Sequence, residues 1–88
     1  MVSQRETICN ILASILGLEK KMVQELGDGE NLIIIGFDSI SAIQLVVNLE
    51  QQFNIQLNDD DLVFNRLDTI AKIQQLVICY IKEKVEML

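Results

Sequence analysis

The sequence predicts an all-α fold, a four-helix bundle with a short third helix and a long loop between helices one and two. Apolar residues recur at helical spacing in three separate segments, each with capping residues at its start. Only one stretch, Leu32-Ile33-Ile34-Ile35, has strand propensity, and one strand cannot make a sheet. The 88 residues contain no proline to interrupt a helix. These features together describe a small antiparallel bundle, read as one domain over residues 1–88.

Helix one is expected over residues 4 to 17. Ser3-Gln4-Arg5-Glu6 fits a capping box, Ile8, Leu12, Ile15 and Leu16 recur at helical spacing, and Gly17 is a stop. In the connection, Leu18, Met22 and Leu26 allow a short helical stretch that Gly27-Asp28-Gly29 breaks. The isoleucines after it are expected to plug the core in part, within a long structured loop. Helix two, over 39 to 53, places Ala42, Leu45, Val46, Leu49 and Phe53 within about 100° of arc, a normal core stripe. Ile40, Ile43 and Val47 form a second stripe that widens the apolar arc to roughly 220°. A helix with such an arc is either central in the bundle or meets a partner.

Asn54 to Asn58 is a turn with Ile55 and Leu57 pointing inward. Asn58 or Asp59 then caps a short third helix from Asp60 to about Asn65, whose start the acids Asp59, Asp60 and Asp61 complement. Thr69 caps the last helix, in which Ile70, Ile73, Val77, Tyr80 or Ile81, and Val85 face inward.

Composition narrows the function. There is no histidine, which removes Ser-His-Asp and Cys-His nucleophile systems, His-bearing zinc sites and the usual general base near neutral pH. An enzyme in its own right is therefore not expected, and no catalytic or metal residue is assigned. Thirteen acidic against seven basic residues give a net charge of −6, which disfavours nucleic acid and anionic membranes and favours a basic protein face as partner. No stretch approaches the ~20 apolar residues of a membrane span, and the N-terminus lacks signal-peptide character. The expectation is a cytoplasmic monomer in which Cys9 and Cys79 are free thiols. An EF-hand starting at Asp28 fails, because Leu32, Ile33 and Ser39 stand where a ligand, a glycine and a glutamate are required.

Ser39 is the candidate functional atom: a hydroxyl at the positive end of a helix dipole, behind Asp38 and the turn-permitting Gly36. The ordinary explanation is that Asp38 and Ser39 only cap the helix, with Ser41-Ala42-Ile43-Gln44 as an alternative capping box.

Gly36-Phe37-Asp38-Ser39-Ile40, followed by Leu45, Leu49, Glu50 and Phe53 and an acidic short helix, resembles the carrier protein family. That family comprises acyl carrier proteins and the peptidyl or aryl carriers of nonribosomal peptide synthetases. The similarity covers almost the whole chain, from helix one through Val77 and beyond. It implies the four-helix carrier fold and a 4'-phosphopantetheine arm attached to Ser39 by a phosphopantetheinyl transferase, with Asp38 near the magnesium and phosphate groups during loading. It also implies that Ile40, Ile43 and Val47 dock partners, with Phe37 on the loop side of that surface. The implied partners are the transferase, an adenylating or acyl-loading enzyme, and downstream acyl-transfer or condensing enzymes. Glu50 is the only acid between Ser39 and Phe53, unlike the glutamate-lined helix of fatty-acid carriers, and Glu30-Asn31-Leu32-Ile33 is similar to peptidyl and aryl carriers. Asp38, by contrast, is the acyl-carrier choice, and a free-standing aminoacyl or aryl carrier satisfies both observations. The alternative is a small helical adaptor that binds a partner through the Ile40, Ile43 and Val47 stripe without any prosthetic group.

Overall fold

The computed structural model describes residues 4–58 and 64–86, with side chains through residue 82 in the last helix. Among the described residues the α-helices are α1 (Gln4–Leu16), α2 (Lys20–Gln24), α3 (Ser39–Phe53) and α4 (Ile70–Glu86). Among the described residues, two 3-10 turns, Leu32–Ile35 and Phe64–Arg66, lie between them. No strand occurs among the described residues. The all-α bundle is as expected, but its short α-helix is α2, inside the long first connection. The expected third helix is represented among the described residues by the 3-10 turn Phe64–Arg66, and its start at Asp59 to Asp61 lies outside them. Ser3 of the expected capping box also lies outside them.

Helix ends follow local chemistry. Gly17 adopts φ +68, and Leu18 N–H donates to Ala13 O at 2.9 Å, closing α1 in the Schellman pattern. Asn54, at φ 53, ends α3 in the same way, with Ile55 N–H donating to Glu50 O at 3.2 Å. Thr69 caps α4 by accepting from Lys72 N–H at 3.1 Å through its hydroxyl.

α1 packs against each of the other three helices. Its buried Ile8, Cys9, Ile11, Leu12 and Ala13 meet Leu45 and Leu49 of α3 and Ile70, Ile73 and Val77 of α4 in one core. In α2 the buried residue is Val23, while Met22 is 51% exposed. Leu18 precedes the helix, so the i, i+4, i+8 pattern does not describe one continuous helical face.

The connection to α3 is tied down at several points. Arg5 on α1 donates to Asp28 Oδ1 at 2.7 Å and to Leu26 O at 2.9 Å. Ala71 N–H, in the first turn of α4, donates to Asp28 O at 2.9 Å, and Leu32 N–H donates to Asp68 O at 2.8 Å. The isoleucines form a turn rather than a strand because both flanks dictate one. Asn31 Oδ1 accepts from Ile33 N–H at 3.0 Å, and Gly36 at φ +98 supplies the left-handed exit. Leu32 is the residue that plugs the core; Ile35 is half-buried, and Ile33 and Ile34 face outward.

Candidate functional site

The site begins where this anchored connection enters α3. Asp38 is the N-cap: its backbone is extended, at φ −136 and ψ −173, and its Oδ1 accepts from Ser41 N–H at 2.8 Å and from the Ser41 hydroxyl at 2.9 Å. Ser41, 8% exposed, is thereby satisfied although it sits in an apolar neighbourhood. The Ser41 backbone amide, then its hydroxyl, and more weakly the Ile40 and Asp38 amides hold the Asp38 carboxyl below the ordinary carboxylate range, against a small opposing effect of burial. Asp38 is ionised at neutral pH and is a weak base, so it does not activate the neighbouring serine.

Ser39 is the first residue of the 15-residue α3 and is exposed. It stands at the rim of a groove of about 300 Å³ lined by Ala42, Ile43, Val46 and Val47 of α3 and by Phe64 and Leu67 across from them. Among the described residues, no charged side chain lines that groove. The wide apolar arc of α3 now divides in two. Ala42, Leu45 and Leu49 are buried and Val46 and Phe53 half-buried, whereas Ile40, Ile43 and Val47 are 69%, 66% and 47% exposed.

Phe37 departs from its expected place beside the docking stripe. It is 2% exposed, and its ring lies 5.4 Å from that of Phe64, centroid to centroid, within the core. The left-handed Gly36 turns the chain, and Phe37 N–H donates to Leu32 O at 3.2 Å, so Leu32 and Phe37 plug the core on either side of the exposed isoleucines. Phe37 is a packing residue and offers no contact surface. Glu50, the one acid of α3, is also committed internally, accepting from Leu57 N–H at 3.0 Å. The sequence reading missed Ser41 as the partner of Asp38, though a serine three residues after an aspartate cap is a usable sign. It also missed Phe64 and Leu67 as the far wall of the groove, for which no local signal exists.

Residues 6–77 match the family model described as the phosphopantetheine attachment site. The chain belongs to this phosphopantetheine-binding carrier family. Its members carry covalently attached 4'-phosphopantetheine and are generally non-catalytic. The residues present suit such a carrier. An ester to the arm needs an exposed hydroxyl with open space around it, and Ser39 on the rim of a groove lined by Ala42, Ile43, Val46, Val47, Phe64 and Leu67 provides both. The start of a long helix tolerates the resulting phosphodiester anion. Among the described residues of the carrier, no helix is long and apolar enough to cross a membrane.

Proposed function

We propose that residues 1–88 are a single carrier domain whose Ser39 receives the 4'-phosphopantetheine arm from coenzyme A. The observation that supports this reading is the pairing of an exposed Ser39 at the start of α3 with a groove walled by apolar side chains and an exposed apolar stripe directly behind it. In loading, Ser39 Oγ attacks the phosphorus of coenzyme A nearer the pantetheine. The phosphoanhydride bond breaks, and the adenosine bisphosphate leaves with the electron pair. The hydroxyl proton passes to a base on the transferase, because Asp38 is held ionised and weakly basic by its bonds to Ser41. Asp38, exposed beside Ser39, would stand near the magnesium and phosphate groups that the transferase supplies. Once attached, the arm supplies a terminal thiol that holds acyl groups as thioesters.

Ile40, Ile43 and Val47 form the face on which partner enzymes dock, their 47–69% exposure leaving apolar area for weak, exchangeable contacts. The carrier hands acyl, aminoacyl or aryl thioesters between cytoplasmic enzymes of a nonribosomal peptide, polyketide or related pathway. A free-standing nonribosomal-type carrier, loaded by a separate adenylating enzyme, is the favoured form. The supporting feature is an α3 with Glu50 as its only acid, and that acid engaged by Leu57.

The test is incubation of the purified protein with coenzyme A and a broad-specificity phosphopantetheinyl transferase. Intact mass should show one phosphopantetheine on the wild type and none on Ser39→Ala. A wild type that stays unmodified across several transferases overturns the proposal. A partner that binds wild type and Ser39→Ala equally, with no modified form isolated from cells, favours the adaptor instead.

A further inference from the structure

Two large apolar side chains just upstream of Ser39 are left unused by the fold. Ile33 is 52% exposed and Ile34 73% exposed. They are held out rigidly rather than left on a slack loop. The buried Leu32 and Phe37 plug the core on either side, Asn31 caps the turn, and Leu32 N–H is bonded to Asp68 O at 2.8 Å. Ser39 lies five positions after Ile34, so their Cα atoms are no more than about 18 Å apart. A partner acting on Ser39 therefore works within reach of the isoleucines. A preorganised apolar knob loses little conformational freedom when it is buried in a complex.

Charge identifies the kind of partner. All seven basic residues lie at or before Lys21 or at or after Arg66, while residues 22–65 contain eight acids and no lysine or arginine. Near the turn, Asp28 and Asp68 are met by the internal cations Arg5 and Lys72, while Glu30 is exposed and Asp38 is held ionised. An apolar knob in an anionic stretch is complementary to an apolar recess with a cationic rim.

We infer that the turn Leu32–Ile35 is a second docking element, with Ile33 and Ile34 seating in an apolar recess of the phosphopantetheinyl transferase that is bordered by lysine or arginine side chains. This rests on the proposed attachment at Ser39.

The experiment measures steady-state loading of the apo protein by a broad-specificity transferase with coenzyme A, for wild type, Ile33→Ser, Ile34→Ser, Ile34→Glu, Ile34→Lys and the exposed control on α2, Met22→Ser. Circular dichroism and thermal melts confirm that each is folded. Ile34→Ser is expected to raise KM for the carrier on the order of tenfold with kcat unchanged. Ile34→Lys should raise it further than Ile34→Glu, because lysine meets a like-charged rim. Met22→Ser should match the wild type. A wild type that loads normally while every Ile33 and Ile34 variant keeps its KM overturns the docking role and leaves the attachment at Ser39 standing. An equal effect of Ile34→Lys and Ile34→Glu overturns the cationic rim. A wild-type dimer in sedimentation equilibrium that the serine variants abolish makes a second copy the occupant and also overturns the inference. A wild type that no transferase loads refutes the attachment at Ser39 and this inference with it.

Discussion

Replacing Phe37 separates a packing residue from a docking residue. Its ring is 2% exposed and lies 5.4 Å from the Phe64 ring at an interplanar angle of 30°. Truncation to alanine removes a whole buried ring and costs about 3–5 kcal/mol. An 88-residue domain has a total stability of only roughly 4–13 kcal/mol, so that variant is a poor vehicle for functional assays. Phe37→Leu keeps most of the volume and loses the ring pairing and some fit, about 1–2 kcal/mol together. In a domain of this size each kcal/mol lowers the melting temperature by about 4–8 °C. The assay is urea unfolding at constant slope, paired with transferase loading at a temperature where both proteins are folded. The midpoint should fall while KM for loading stays at the wild-type value. An unchanged midpoint with a raised KM would place Phe37 on the surface and refute the packing argument.

Other consequences follow from the same geometry. Gly36→Ala meets no atom within 4 Å, so its cost is the backbone strain of a residue at φ +98, about 1–2 kcal/mol in urea unfolding. Gly29→Ala, at a position without positive φ and equally open, should be neutral or slightly stabilising. Because the folded state holds the Asp38 pKa down, its contribution to stability is fully present above the unfolded value of about 3.9 and is lost as pH falls through the folded value. Asp38→Asn retains an N-cap without the charge, so its unfolding midpoint should lack that acid-side decline, and its transferase loading should slow at neutral pH. Cys79 is exposed, whereas Cys9 is fully buried with its thiol pKa pushed up by burial against a smaller lowering by Arg5. A thiol reagent should therefore label Cys79 rapidly and Cys9 only on unfolding, as followed by mass spectrometry.

The helix boundaries were legible because cap chemistry is local: Gly17, Asp38, Asn54 and Thr69 each end or begin an element where a reading of the residues places them. The burial pattern within regular helices was legible for the same reason, with Ile70, Ile73 and Val77 fully buried at helical spacing. The stretch from Leu32 to Phe37 was harder. Isoleucine favours strands, but Asn31 and Gly36 force a 3-10 turn, and without a regular period nothing in the sequence says which side chains turn inward. Leu32 and Phe37 went in; Ile33 and Ile34 stayed out. On α3 the two apolar stripes adjoin on the helical wheel, so only the packing of α1 and α4 decides that the Leu45 and Leu49 side is core and the Ile40 and Ile43 side is surface. Ser39 is proposed from its motif and its helix start, both of which are short-range features of the chain.

The central claim is that Ser39, and no other hydroxyl, carries the arm. Ser41 lies two residues away, but it is 8% exposed and its hydroxyl is committed to Asp38 at 2.9 Å. Peptide-level mass spectrometry of the transferase-treated protein decides between them. The phosphopantetheine should be found on Ser39 alone; its appearance on Ser41 or on any other residue would contradict the account.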